Sequence, residues 1–194
     1  MVRVSWVEIS LALGFVVACF KVWREMRLDY EEDKILGLML GMAMAAWLGG
    51  RLAWWKATSE MGLLGAVVLA ILFLIWWCKR YKWNFWQWLD QLGEVSLAVG
   101  AVASVSVVLA VGWLACNLLK RYYRRFGWYE SGKPGLVGVV AVWWWGMAQL
   151  VIAKGGMVWV YFGAWLTVAG AVTIYLRSGR KISQALKRIW PKNV

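Results

Sequence analysis

This chain lacks the residue type that most often transfers protons in enzymes. Its 194 residues include no histidine, so the commonest general base, which is also a frequent metal ligand, is missing. The chain has 22 Lys or Arg and 10 Asp or Glu residues, and four of these charged residues stand in the ordered motifs given below: Arg51, Glu60, Asp90 and Lys133, with Glu94 one helical turn after Asp90. A cation could contact a phosphate group, and a carboxylate could act as a base. Any anion-binding or acid–base chemistry in this chain is therefore expected to involve one or more of these charged residues.

Each of these residues also has a structural interpretation. Arg51 ends an apolar run, where a long cationic side chain can extend to a membrane surface. Glu60 could be an exposed loop acid, and Lys133 lies in a strongly basic loop. Asp90 and Glu94 share one helical face, where like charges repel unless other groups pair them. We interpret this pair as an anchor at the inner membrane surface, with a catalytic pair as the alternative.

The three cysteines, Cys19, Cys78 and Cys116, lie within or at the end of apolar runs, without CxxC or metal-ligand spacing. We interpret them as small apolar packing residues and predict no metal site and no cofactor. Cys19 has an alternative, because Val16-Val17-Ala18-Cys19 loosely resembles a lipobox. The first apolar run would then be a cleaved signal, and Cys19 would carry lipid.

Composition indicates the setting in which these residues lie. Hydrophobic residues make up 62% of the chain, charged residues make up 16%, and the mean hydropathy is +0.60. A soluble domain has nearly half apolar and about a quarter charged residues, so this composition is typical of a membrane protein. The net charge of +12 comes from short basic runs between apolar segments. Such runs favour loops facing an anionic inner leaflet over nucleic-acid binding.

Apolar runs long enough to cross a bilayer as helices recur along the chain. The clear candidates are residues 4–22, 35–55, 61–78, 134–153 and 156–176. The segment 84–119 could cross once, or twice as short helices near 84–103 and 104–119. Two crossings place most of the Lys and Arg on one side, as the positive-inside rule requires. We therefore predict an all-α polytopic bundle with about seven crossings in the plasma (inner) membrane. Its N-terminus is expected outside and its C-terminus in the cytoplasm, with six crossings as the alternative.

The predicted bundle forms one transmembrane domain over residues 1–176, followed by a tail at 177–194. The tail is basic and amphipathic, which is typical of a helix lying on the cytoplasmic leaflet. In the second apolar run, small residues recur every four positions, at Gly37, Gly41, Ala45 and Gly49. This stripe favours close packing against another helix, with a groove for a lipid or substrate as the alternative.

The order of motifs resembles the prolipoprotein diacylglyceryl transferase family. An acidic segment and a Gly/Ala-rich helix lead into Gly49-Gly50-Arg51-Leu52, and Ser59-Glu60-Met61-Gly62-Leu63-Leu64-Gly65 follows. Later come a basic loop with Asn84-Phe85-Trp86, then Leu89-Asp90, and finally Gly132-Lys133-Pro134-Gly135. The resemblance covers most of the chain and implies the same seven-crossing architecture.

That family transfers a diacylglyceryl group from phosphatidylglycerol to the lipobox cysteine of a preprolipoprotein and requires no metal. The resemblance implies a phosphatidylglycerol-like lipid and a preprolipoprotein signal segment as partners. It implies lipid contacts at Arg51, Gly62, Gly65, Lys133 and Gln149, with Glu60 and Arg51 as candidate catalytic residues.

This chain departs from the family pattern at the residues that perform the reaction. Met61-Gly62-Leu63 stands in place of a His-Gly-Gly turn, and Gly100-Ala101-Val102-Ala103-Ser104 contains neither the arginine nor the asparagine of the main signature. Gln149 replaces a late arginine and cannot supply its bidentate charge. Two hypotheses remain open. One is a divergent transferase, and the other is a catalytically inactive descendant that binds lipid or a membrane partner as a scaffold.

Overall fold

The computed structural model describes residues 6–54, 59–104, 106–122, 133–152 and 157–178. The described residues form seven α-helices and no strand. In chain order these helices are α1 (Trp6–Met26), α2 (Glu32–Trp54), α3 (Ser59–Tyr81), α4 (Phe85–Ser104), α5 (Val107–Tyr122), α6 (Leu136–Ile152) and α7 (Met157–Arg177). The all-α prediction is confirmed, and each helix covers one of the apolar segments expected from the sequence.

Three of the described helices are long and apolar enough to cross a membrane. These segments are Glu32–Leu52 of α2, Leu64–Tyr81 of α3 and Trp159–Arg177 of α7. The apolar segment Leu136–Val151 of α6 is shorter. The segment 84–119 forms two helices, because α4 ends at Ser104 and α5 starts at Val107. This break occurs where the interpretation with two short helices requires one.

Contacts divide the chain into two compact units, Ala12–Phe85 and Met1–Leu11 with Trp86–Val194. In the Ala12–Phe85 unit, α2 packs on α3 through the stripe of small residues. A side-chain carbon on Gly49 would lie 2.2 Å from the Gly65 carbonyl oxygen, and one on Gly41 would lie 2.2 Å from the Phe73 ring. The two backbones therefore approach too closely for any side chain larger than hydrogen at Gly49. The close packing expected from the sequence is confirmed.

In the second unit, the core lies between α4, α5 and α6. Its fully buried side chains include Leu97 of α4, Cys116 of α5 and Ala141 of α6. Two tryptophans of α6 attach it to its neighbours, since Trp144 Nε1 donates to Val108 O (2.8 Å) and Trp145 Nε1 donates to Ser96 Oγ (3.1 Å). Helix α6 also packs along α7. These contacts position the polar groups described next. The predicted amphipathic tail lies outside the described residues beyond Ser178.

Candidate functional site

Asp90 of α4 binds the first turn of α6. Its two carboxylate oxygens accept hydrogen bonds from the backbone N–H groups of Gly135 and Gly138, each at 2.6 Å. The first N–H groups of a helix have no partner within that helix, and they carry its positive partial charge. No Ser, Thr, Asp or Asn precedes α6 within 133–135, where the chain reads Lys133-Pro134-Gly135. Asp90 therefore supplies from a distant helix the cap that the local sequence lacks.

The backbone before α6 is shaped to receive this carboxylate. Gly135 has φ +112°, a conformation that L side chains rarely adopt. A side-chain carbon on Gly138 would lie 2.5 Å from the backbone of Leu89, so only glycine lets α6 approach α4 this closely. The two glycines and Asp90 form one joint between the helices.

Arg177, in the last turn of α7, contacts the same joint. Its guanidinium donates a hydrogen bond to the carbonyl oxygen of Pro134 and lies over the Trp86 ring, 4.0 Å from the ring centroid. The cation thus contacts both α4, through Trp86, and the turn that precedes α6. Cation–π contact and charge-assisted hydrogen bonding together hold three helices at this end of the unit.

Glu94, one turn further along α4, has a separate partner. Its side chain is 1% exposed, and one carboxylate oxygen lies 3.1 Å from Lys120 Nζ of α5. Lys120 also donates to Gln91 Oε1 at 3.1 Å. The repulsion expected between Asp90 and Glu94 is therefore relieved, because each acid contacts a different positive group. We call Asp90, Glu94, Lys120 and Arg177 the polar clamp.

The chemistry of the polar clamp is that of a structural joint. Its carboxylates accept hydrogen bonds from the backbone of α6 and from Lys120, and its cations contact Trp86, Gln91 and Glu94. The nearby Cys116 is fully buried, and its Sγ lies 4.0 Å from the Val137 oxygen. Among the described residues, no group of three His, Cys, Asp or Glu is arranged to hold a metal ion.

Four of the site residues expected from the sequence lie in the Ala12–Phe85 unit: Arg51, Gly62, Gly65 and Glu60. Arg51 is exposed in the last turn of α2, with its guanidinium 5.8 Å from the Trp47 ring centroid. Gly62 and Gly65 face α2, where their carbonyl oxygens are near Gly50 and Gly49. Both glycines therefore contribute to the contact between α2 and α3.

The remaining expected site residues and Glu60 are placed as follows. Lys133 is exposed immediately before the turn that Asp90 binds. Gln149 of α6 faces α7, since a side-chain carbon on Gly163 would lie 3.1 Å from Gln149 Cβ. Glu60 lies in the first turn of α3, and its side chain is outside the described residues. Gln149 therefore lies where α6 packs against α7, whereas the neighbour of Arg51 is the Trp47 ring.

The polar clamp was not apparent as a unit from the sequence. Asp90, Glu94 and the Pro-Gly turn were separate features, and no pattern connected Arg177 or Lys120 with them. One signal was present: the apolar run after Pro134-Gly135 has no local capping side chain, so the first N–H groups of a helix that begins there need an acceptor from water or from another segment. Which acid would supply it depends on helix packing and could not be read from spacing.

Comparison with known proteins adds no family assignment. No protein-family model, no curated protein and no solved structure matches this chain. The resemblance to diacylglyceryl transferases therefore rests on the ordered motifs alone. Two of these motifs, Leu89-Asp90 and Lys133-Pro134-Gly135, are in direct contact through the Asp90 carboxylate.

Proposed function

We propose that this chain crosses the inner membrane seven times, with its N-terminus outside and its C-terminus in the cytoplasm. Three apolar helices of spanning length and the break between α4 and α5 support this arrangement. Large apolar side chains are also exposed on the described helices, for example Trp47 and Leu40 of α2 and Trp165 of α7. Such surfaces are stable against hydrocarbon and costly in water.

Reporter fusions test the number of crossings. With seven crossings, the break after Ser104 faces the outside, and with six it lies within a single span. We expect alkaline phosphatase fused after Ser104 to be active and the same enzyme fused after Lys82 to be inactive. Inactive phosphatase at Ser104, with a fluorescent cytoplasmic reporter at that position, would contradict the seven-crossing arrangement.

Within this architecture, we propose that the protein is a phospholipid-binding scaffold that resembles diacylglyceryl transferases in the order of its motifs but has no transfer activity. The observation that carries this proposal is the use of Asp90 and Glu94 as joints between helices. Carboxylates engaged in this way are poorly suited to remove a proton from a thiol. Gln149 and the two glycines Gly62 and Gly65 likewise support helix contacts.

A divergent transferase is the second candidate. The observation in its favour is the contact between the Leu89-Asp90 and Lys133-Pro134-Gly135 motifs, which carried the resemblance and lie 45 residues apart in sequence. In such an enzyme the cysteine sulfur of a preprolipoprotein bonds to the glycerol carbon of phosphatidylglycerol. The carbon–oxygen bond to phosphate breaks, glycerol phosphate leaves, and the thiol proton passes to a base. Arg51 and Glu60 remain the candidates for phosphate contact and proton removal.

Two measurements on the intact protein separate the candidates. The first is growth of cells depleted of their own diacylglyceryl transferase when they express this chain. The second is thiol modification of a lipobox peptide by purified protein in phosphatidylglycerol nanodiscs. The scaffold predicts no rescue and no modification, together with phospholipid retained by the purified protein. Rescue, or peptide modification lost in Arg51→Gln, would establish the transferase instead.

A further inference from the structure

An open cavity of about 500 Å³ lies at the C-terminal end of α3, within the Ala12–Phe85 unit. We call it the α3-end cavity. Its lining combines two lysines with apolar and aromatic side chains: Ile75, Cys78, Lys79, Lys82, Trp83 and Phe85. Ligand pockets commonly have volumes of roughly 300–1,000 Å³, so the space is large enough for a small polar group and part of an attached chain.

The positive charge at this cavity comes from Lys79 and Lys82. Both are exposed, and neither has an ion-pair partner within the described part of the chain. The nearby Lys34 differs, because its Nζ lies 2.5 Å from a Glu31 oxygen. The two lysines at the cavity are thus cations that the described acids leave unneutralised.

The backbone at Lys82 places one of these cations in an unusual conformation. The Trp83 N–H donates to the Cys78 oxygen at 2.8 Å, which closes the end of α3. This closure puts Lys82 at φ 57°, in the left-handed region where helices normally have glycine. A lysine at this position stabilises the turn less well than glycine would. The turn conformation therefore does not account for a lysine at this position, and we infer that the Lys82 side chain serves a purpose other than stabilising the turn.

The rest of the cavity is apolar and held in place by stacking. The Trp83 ring packs on Tyr30 (4.6 Å between centroids) and on Tyr81 (5.9 Å). Burial raises the pKa of Tyr30, so this ring adds no negative charge near the lysines at neutral pH. Ile75, one turn back along α3, extends the apolar lining into a segment of spanning length. Cationic groups thus lie beside an apolar surface that continues along the helix.

We propose that the α3-end cavity binds the anionic headgroup of a phospholipid in the inner leaflet. The headgroup phosphate contacts Lys79 and Lys82, and an acyl chain lies along Ile75. This proposal rests on the proposed membrane orientation, which places the end of α3 at the cytoplasmic surface. The inner leaflet supplies negatively charged lipids there. Arg51, the cation suggested by the resemblance, ends α2 at the opposite surface and belongs to a different site.

Native mass spectrometry of the purified full chain tests this site. The protein is titrated in detergent with phosphatidylglycerol, with phosphatidylcholine of matched acyl chains, and with inorganic phosphate. Each lysine near an anionic headgroup contributes about five-fold to affinity, so Lys79→Gln/Lys82→Gln should weaken phosphatidylglycerol binding by roughly 30-fold. Arg24→Gln/Arg27→Gln removes the same charge from exposed positions near the end of α1 and should change it less than about three-fold.

Each outcome is decisive for the site. Selective loss of phosphatidylglycerol in the lysine variant, with its melting temperature unchanged, supports the proposal. Wild-type affinity in that variant overturns it, and lowered thermal stability would then assign the lysines to neutralising the end of α3. Inorganic phosphate binding as tightly as phosphatidylglycerol would replace the lipid with a free anion. If the wild-type protein binds no phospholipid at all, the proposed scaffold function fails together with this site.

Discussion

Replacement of Asp90 by alanine removes the acceptor that joins α4 to the start of α6. The wild-type carboxylate accepts two hydrogen bonds at 2.6 Å, from Gly135 and Gly138. A hydrogen bond to a charged group contributes about 1.5–3 kcal/mol, and attraction to a helix N-terminus adds up to about 2 kcal/mol. Water can reach this half-buried position and partly replace both bonds. We therefore expect Asp90→Ala to lower the free energy of unfolding by about 3 kcal/mol.

Asp90→Asn separates the contribution of the hydrogen-bond acceptor from that of the negative charge. The amide keeps one acceptor oxygen and loses the negative charge, so we expect about half of the alanine effect. The matched control is Asp33→Ala, which removes an exposed acid from the first turn of α2. Its expected cost is about 0.5 kcal/mol, the contribution of the helix dipole at an exposed end.

The assay is reversible unfolding of the purified protein in mixed micelles, followed by tryptophan fluorescence as the fraction of denaturing detergent rises. The 18 tryptophans provide the signal, and Trp86 and Trp88 lie on the same helix as Asp90. If Asp90→Ala destabilises the protein no more than Asp33→Ala does, the Asp90 carboxylate does not hold α4 to α6. Equal, large effects of Asp90→Asn and Asp90→Ala would also contradict this role, because the remaining acceptor oxygen would then contribute nothing.

Three further predictions address other contacts. Gly49→Ala should lower the free energy of unfolding by more than about 2 kcal/mol, because its methyl group would meet the α3 backbone. The control Gly50→Ala, whose methyl group would lie 3.6 Å from the nearest atom, should stay within about 0.5 kcal/mol of wild type. Equal effects of the two substitutions in the unfolding assay would contradict the close packing of α2 on α3. Glu94→Gln should cost about 1.5 kcal/mol, because the Lys120 side chain is 35% exposed and water can solvate its ammonium group. Combining it with Lys120→Met should recover at least about 0.5 kcal/mol of the summed single effects, and a double-mutant cycle without coupling would argue against a contribution from this ion pair. Lys82→Gly should raise the free energy of unfolding by about 1 kcal/mol, since glycine favours φ 57°, while weakening phosphatidylglycerol binding about five-fold. A variant that is more stable and still binds lipid as well as wild type would speak against the lysine contact.

The positions of the helices were predictable because they depend on local properties of the chain. Apolar runs of spanning length cannot leave backbone groups unpaired in hydrocarbon, so they form helices wherever they occur. Charge distribution favoured two short helices in 84–119, and the structure breaks the helix between Ser104 and Val107. The stripe containing Gly41 and Gly49 indicated close packing, since its spacing alone places these glycines on one face.

The roles of the polar residues were decided by tertiary structure. The spacing of Asp90 and Glu94 showed that each acid needed a partner, and it could not show which one. The partners lie 26 residues from Glu94, at Lys120, and 45 and 48 residues from Asp90, at Gly135 and Gly138. The cavity beside Lys79 and Lys82 was likewise not apparent from the sequence. Hydrophobic periodicity and charge act along a single segment, whereas a capped helix end or a lined cavity exists only once several segments have packed together.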